Sequence, residues 1–346
     1  MEISLFSASA VFPGALPHPV FIMTSLGPIF ADDLSRVKPG DRLRLTISAQ
    51  TSDAAALAQA ALEARARGER VLVVCADPAD VPRLAQEMPW FEPKLDVRPL
   101  PDWETLPYDV LSPQEELVSE RLEALYRLTA PTGGADVLLT SAVTASQRLS
   151  PVSYIGANTF FFHQGEQISL TTLQKRLAAA GYANVKQVLA AGEFAVRGSI
   201  VDVFPMGSER PFRLDFFDDE IESIRWFDVD TQRSMESAEE IRLLPGHEFP
   251  VDPEALLAFR QRWRREFAGD PKKSIVYCDI EKEILPPGIE YYLPLFFDET
   301  AALTDYLPPN ARVFLLGDIE AALQAFGRDM ASRYKVLAAD PQRPAL

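Results

Sequence analysis

Between Phe194 and Phe227 the chain reads "FAVRGSIVDVFPMGSERPFRLDFFDDEIESIRWF". Apolar residues return at every second position through successive runs, and short polar turns separate the runs. A two-residue period sends alternate side chains to opposite faces of an extended chain. The stretch therefore predicts strands joined by hairpins, each with one buried face. In the middle run, Phe212, Leu214 and Phe216 share one face, while Arg213, Asp215 and Phe217 share the other. The first set is core. The second puts an arginine and a large aromatic side by side where water is expected.

Elsewhere the pattern is different. From about Leu43, "LRLTIS" is a short apolar run and "SDAAALAQAALEARARGER" an alanine-rich helix with Asp53 near its start and Gly68 past its end. "VLVVCAD" is a continuous apolar strand, the kind buried on both faces of a parallel sheet. "PADVPRLAQEM", "LDVRPLP" and "ADVLLTSAVTASQRL" continue the alternation of helix and strand, which is the mark of a doubly wound α/β domain. Around Ser150 the texture changes to one helix, "LTTLQKRLAAAGY", with Gly181 as C-cap, followed by short alternating strands through Leu244. Past "LPGHEFP" come helix "PEALLAFRQRWRREFAG", strand "RVFLLGD" and helix "IEAALQAFGRDMASRY". The proline-rich tail "ADPQRPAL" has no terminal element, so the chain is expected to be cut from something longer. The expected fold is thus an α/β parallel-sheet domain interrupted by an antiparallel α+β insert. Residues 1–40 form an uncertain, disordered extension in this reading, with Met23 a more ordinary start. Residues 41–150 are the first part of the α/β domain, 151–246 the insert, and 247–346 the second part, truncated at its C-terminal end.

At 346 residues the chain exceeds one typical core. Its formal net charge of −16 repels a phosphate backbone, and no lysine or arginine block offsets it. Cys75 and Cys278 lie in strand-like apolar stretches and read as lone buried thiols of a reduced cytoplasmic protein. With His18, His163 and His247 they offer no metal or catalytic-dyad spacing. The proline-broken start lacks a basic n-region, and no stretch is apolar enough to span a bilayer.

A phosphate-binding loop needs glycines, a lysine and a hydroxyl for magnesium. The first strand–helix junction, "LTISAQTSDAAAL", has no glycine or lysine, and Asp53 stands where positive charge is needed. An aspartate there caps a helix and repels an anion. The nucleotide site reads as absent, with an atypical one as the alternative. "FFDDEIES", with Asp218, Asp219 and Glu220, reads as a solvated hairpin tip rather than a metal site. "DWETLPYD" reads as structural packing of Trp103 and Tyr108 on the α/β lobe rather than a base-stacking platform, given Asp102, Glu104 and Asp109. "QRWRREF" has acidic surroundings that favour intramolecular pairing over DNA contact.

Three stretches together carry a family resemblance: "LPDWETLPYDVLSPQEELVSERLEALYRL" (100–128), "GEFAVRGSIVDVFPMGSERPFRLDFFDDEIESIRWFDVDTQRS" (192–234) and "LPPGIEYYLPLFFDETAALTDYLP" (285–308). From about Arg42 onward the chain resembles the N-terminal, UvrB-like region of bacterial transcription-repair coupling factors (the Mfd family). The resemblance implies a degenerate helicase-like lobe in two pieces that binds no ATP, with the domain that contacts UvrA inserted between them. It implies a UvrA-recruiting module of transcription-coupled nucleotide excision repair, cytoplasmic and not itself an enzyme. It places ATP and Mg²⁺ in a downstream motor, a DNA translocase that displaces stalled RNA polymerase. RNA polymerase and DNA are then partners only through regions absent here, whereas UvrA and the protein's own downstream domains are direct partners. No cofactor or metal is expected in this chain. Carried over residue by residue, the UvrA-contact positions are Arg197 in "FAVRG", Arg213 in "FRLDFF" and Phe217 at that motif's last aromatic. Period-2 alternation by itself puts Arg213 and Phe217 together, whereas Gly198 leaves Arg197 less secure. Without the resemblance, Phe217 packed under its hairpin and Arg213 paired with Asp215 or Asp219 would be the plainer account. Arg262, Arg264 and Arg265 could serve an inhibitory contact with the rest of the protein. The competing functions are a nucleotide-binding helicase lobe and a UvrB-like damage-recognition fragment.

Overall fold

The computed structural model describes residues 20–23, 42–45, 50–130, 134–338 and 340–346. They fall into two compact units. The first takes the described residues up to Asp102, with Ala124–Leu149 and Ala301–Val336; the second takes Trp103–Glu123, Ser150–Thr300 and Leu337–Leu346. Residues 247–300 thus group by packing with the insert, whereas the sequence predicts 247–346 as the second part of the α/β domain.

The first unit begins with β1 (Val20–Met23) and β2 (Arg42–Leu45), then α1 (Gln50–Ala66), β3 (Val71–Cys75), α2 (Asp80–Phe91) and β4 (Val97–Pro99). Next come α3 (Glu115–Thr129), which contributes to both units, β5 (Val137–Ser141) and α4 (Ala142–Ser146). Every residue of β3 and β5 is buried, as continuous apolar runs must be in a sheet covered on both faces. The small alanine face of α1 (Ala54, Ala58, Ala61) packs close to Val71, Val73 and Leu84. Burial pushes the Cys75 thiol up to about 12, so it is an inert core group.

In the second unit, α5 (Val152–Ala157) leads to β6 (Phe160–His163), α6 (Leu170–Ala179) and β7 (Ala183–Asn184). Five strands follow: β8 (Glu193–Arg197), β9 (Ile200–Phe204), β10 (Phe212–Phe217), β11 (Glu220–Phe227) and β12 (Ser234–Ala238). The last strand of the insert is β13 (Glu240–Leu243). Strands β12-β11-β10-β9-β8-β7 form one sheet, antiparallel except for the short β7–β8 pair, and β13 pairs with β6. Gly181 ends α6 at φ +89°, and a side chain there would meet the His247 ring at 2.8 Å, so glycine is required twice over.

After the insert come α7 (Pro253–Glu266) and α8 (Ile275–Glu281). Asp252 caps α7 by accepting from Glu254 and Ala255 N–H groups at 3.0 and 3.1 Å. An aromatic core of Phe249, Phe259, Trp263, Tyr277, Tyr292 and Phe296 holds these helices. Cys278, expected in a strand, lies in α8: Ser274 caps that helix by accepting from the Tyr277 N–H, and Val276, Tyr277 and Ile280 enter the aromatic core. The tail has no regular element yet is tied down. Ser274 Oγ donates to the Gln342 carbonyl at 3.0 Å, Tyr292 OH to Pro344 O at 2.9 Å, and Arg343 to Pro287 O at 2.8 Å.

The chain then returns to the first unit with β14 (Arg312–Leu316) and α9 (Ile319–Leu337). The parallel sheet is ordered β2-β1-β14-β3-β5-β4, every pair parallel. Strand β1 lies inside this sheet, paired on both sides, although 1–40 was expected to be a disordered extension. The rest of 1–40 lies outside the described residues. The fold is therefore mixed α/β with one parallel and one antiparallel sheet.

Candidate docking face of the antiparallel sheet

The alternation read from β10 holds in the structure. Phe212, Leu214 and Phe216 are buried, and Arg213, Asp215 and Phe217 face the other way. The Phe217 ring does not tuck under its hairpin; the residue is 68% exposed beside the Asp218–Asp219 turn. Gly198, at φ +65°, does not disturb the neighbouring alternation: Arg197 pairs in register with Ile200 and keeps the face of Ala195. Two cross-strand rows result. One runs Ala195–Asp202–Arg213–Arg225–Ser237 and the next Arg197–Ile200–Asp215–Ser223, with Phe217 beyond them at the hairpin end. All three residues implied by the resemblance lie on this one face.

Asp202 is the centre of the face. Its carboxylate is fully buried, which for a lone acid in a sheet would be prohibitive without cationic partners. Arg213 grips it bidentately, Nε donating to Oδ1 at 2.6 Å and Nη2 to Oδ2 at 2.9 Å. Arg197 Nη2 donates to the same Oδ2. The Arg213 Nη1 group donates to the Gln232 carbonyl and the Ser234 hydroxyl, both at 3.2 Å, and the guanidinium carbon lies 5.0 Å from the Phe227 ring centre. Its hydrogen bonds to Asp202 raise the Arg213 pKa above the ordinary guanidinium value. The Arg213 partner is thus Asp202, not the nearer-in-sequence Asp215 or Asp219; Asp215 accepts from Ser223 Oγ at 3.1 Å instead.

The face is not uniformly wet. Ala195 and Phe227 form a second small core with Val188, flanked by Val185 and Phe204, and this covers the end of the sheet away from Phe217. The open end carries Arg197, Arg213 and Arg225 against Asp202, Asp215 and Glu220, the last opposite Phe217, on a chain of net charge −16. Sequence reasoning missed Asp202 and Arg225. A lone acid inside "SIVDVF", followed by an arginine on the next strand at matching parity, was the available signal.

A second charged cluster occupies the start of the first unit's α1. Asp53 lies in the first turn rather than at the cap. Arg83 donates to Asp53 at 3.1 and 2.7 Å, to Asp80 at 2.8 Å and to Glu87 at 2.9 Å. Three carboxylates therefore surround one guanidinium, and Asp53 above all, with Asp80, raises its pKa despite its partial burial. Among the described residues no group of three or more His, Cys, Asp or Glu could hold a metal ion.

The remaining motifs are structural. Trp103 is buried edge-to-face on Tyr291 at 5.6 Å, with its N–H donating to Glu248 Oε1 at 3.2 Å, so "WETLPYD" groups with the second unit, while Asp102 stays in the first and accepts from Thr144 Oγ1 at 3.1 Å. The fully buried Arg121 donates Nε to the same Glu248 oxygen at 2.5 Å. In "QRWRREF", Arg262 pairs with Asp298 at 2.6 Å and Arg264 lies over the Tyr277 ring at 5.5 Å.

Residues 160–249, the segment holding the whole charged face, match the family described as the UvrB interaction domain. Over 277 residues the chain is 43% identical to the transcription-repair-coupling factor of Escherichia coli, covering 80% of this chain and 24% of that protein. Identity to the Haemophilus influenzae transcription-repair-coupling factor is 45% over 254 residues, covering 72% and 22%. For the Bacillus subtilis transcription-repair-coupling factor it is 32% over 216 residues, covering 58% and 18%. Most of this chain is the counterpart of the N-terminal, UvrB-like region of the transcription-repair-coupling factor family. It spans about a quarter or less of the length of these relatives. No helix among the described residues is long and apolar enough to cross a membrane.

Proposed function

We propose that this chain recruits UvrA, as a binding module of transcription-coupled nucleotide excision repair, and that UvrA docks on the open end of the antiparallel sheet through Arg197, Arg213 and Phe217. The observation that carries the reading is the exposed Phe217 ring on the same sheet face as Arg197 and Arg213, inside the segment matching the UvrB interaction domain. An exposed phenylalanine buries little area in the fold, whereas arginine and aromatic residues dominate binding energy at protein interfaces, at about 2 kcal/mol or more for each hot spot.

In this reading the parallel-sheet unit is a degenerate helicase-like lobe that binds no ATP and hydrolyses none. The Asp53–Arg83 cluster supports it: the arginine near that helix start is already surrounded by carboxylates, which repel a phosphate. ATP-Mg²⁺ turnover, translocation on DNA and displacement of RNA polymerase then belong to parts of the longer family members outside the matched quarter. The work is placed in the cytoplasm, where the excision proteins act.

Titration of purified UvrA onto the labelled chain tests the reading. Binding to the wild type, and its loss in the double variant Arg213→Glu, Phe217→Ala with an unchanged circular-dichroism spectrum, is the expected result. Unimpaired binding by that folded variant would show the docking face to be elsewhere.

A further inference from the structure

The three residues of the proposed face are not equivalent. Arg213 has all three guanidinium nitrogens engaged by Asp202, Gln232 and Ser234, and its side chain is only 13% exposed. Arg197 touches Asp202 through one nitrogen, its side chain is 47% exposed, and among the described residues its other N–H groups have no partner. A guanidinium whose fork is filled cannot take a second carboxylate without giving up the first. One held by a single edge can.

We infer that Asp202 is a positioning residue, that Arg213 is its internal strut, and that Arg197 and Phe217 meet a carboxylate-bearing surface of the partner directly. The inference rests on the docking reading above. Asp202 fixes the Arg197 guanidinium beside the Phe217 end of the sheet, so its rotamer freedom is already spent when the partner arrives. The partner carries an acid where it meets Arg197, because the N–H groups of Arg197 not held by Asp202 take a carboxylate and Arg225 stands exposed in the row next to Arg197, whereas Glu220, opposite Phe217, cancels the surplus of the wider face.

The test compares UvrA binding by the full chain in Arg197→Ala, Asp202→Asn and the double variant, with thermal unfolding as a control for folding. Arg197→Ala is expected to lose about tenfold in affinity with no shift in unfolding temperature. Asp202→Asn is expected to lose roughly fivefold or more, and the double variant to be no worse than Arg197→Ala alone, since a positioning residue acts only through the group it positions. Losses that multiply, or a folded Asp202→Asn with wild-type affinity, would overturn the inference. If Asp202→Asn does not fold, hydrogen exchange at the arginine Nε–H groups of the wild type decides: protection at Arg213 and fast exchange at Arg197 are expected, and equal rates would refute the division of roles. The two readings fail separately. Wild-type binding by both Arg197→Ala and the Arg213→Glu, Phe217→Ala variant removes the docking face itself. Weakened binding there, with none in Asp202→Asn, removes only the positioning role.

Discussion

In the first unit one arginine sits among three carboxylates; in the second, one carboxylate sits between two arginines. Both clusters tie together separate elements of secondary structure, and both satisfy a nearly buried aspartate. They differ in the charge left over. Around Arg83 the surplus is negative and meets a helix start, which leaves no attraction for a phosphate. Around Asp202 the surplus is positive, and the half-exposed Arg197 that carries it lies on the face of the exposed Phe217, which leaves an attraction for an acid on a protein surface. The residue types are the same; the stoichiometry decides what each cluster can bind.

The sharpest way to break this comparison is to delete the shared acid. Asp202→Ala leaves Arg213 mostly buried without its fork, and a loss of about 3 kcal/mol in the urea unfolding of the second unit is expected. A loss under about 1 kcal/mol would mean that Gln232 and Ser234 hold Arg213 unaided. Glu290 extends the comparison to an acid with no ion pair among the described residues: it accepts from Ser112 Oγ at 2.8 Å, and burial, with Glu248 adding to it, pushes its carboxyl up to about 7 from 4.5. The folded state therefore holds this proton more tightly than the unfolded chain. The stability so gained is complete below pH 4.5 and disappears as pH rises through 7. Glu290→Gln is expected to raise stability by up to about 2 kcal/mol at pH 8 and by almost nothing at pH 4.5, allowing for screening by water. An equal change at both pH values would contradict the burial argument.

Asp53→Ala is the counterpart of the first deletion in the first unit. Arg83 keeps Asp80 and Glu87, so a loss near 1 kcal/mol is expected, about a third of the Asp202→Ala effect. The variant should still show no saturable binding of a labelled ATP analogue; micromolar affinity in either form would reverse the reading of that junction. The smallest effect sharpens the contrast most. Phe217→Ala should change stability by less than about 0.5 kcal/mol, because the ring touches water already, while weakening UvrA binding at least tenfold. A large loss of stability would make the ring a structural element.

Much of this was legible in the chain. Alternation in "FRLDFF" sorted its six side chains onto the correct faces, because the period of a strand is fixed by its backbone. The continuous runs of β3 and β5 announced a sheet buried on both sides. What escaped depended on partners in other elements or on caps and packing. Asp202 could not be assigned to Arg213 without the register of β9 against β10. The stretch around Cys278 is rich in β-branched and aromatic residues and imitates a strand; the Ser274 cap and packing on Trp263 make it helical. Trp103 was expected on the parallel-sheet lobe because nothing local to "DWETLPYD" signals Glu248 or Tyr291.

Strand β1 has a practical corollary. It fills the slot between β2 and β14, so a shortened protein begun at Met23 would keep a single residue of it. Two facing ladders of amide and carbonyl groups would then lack a partner in the middle of a sheet, and a strand from a neighbouring molecule could supply one. Trimming the start for convenience would open a slot in the sheet at which copies of the chain can pair.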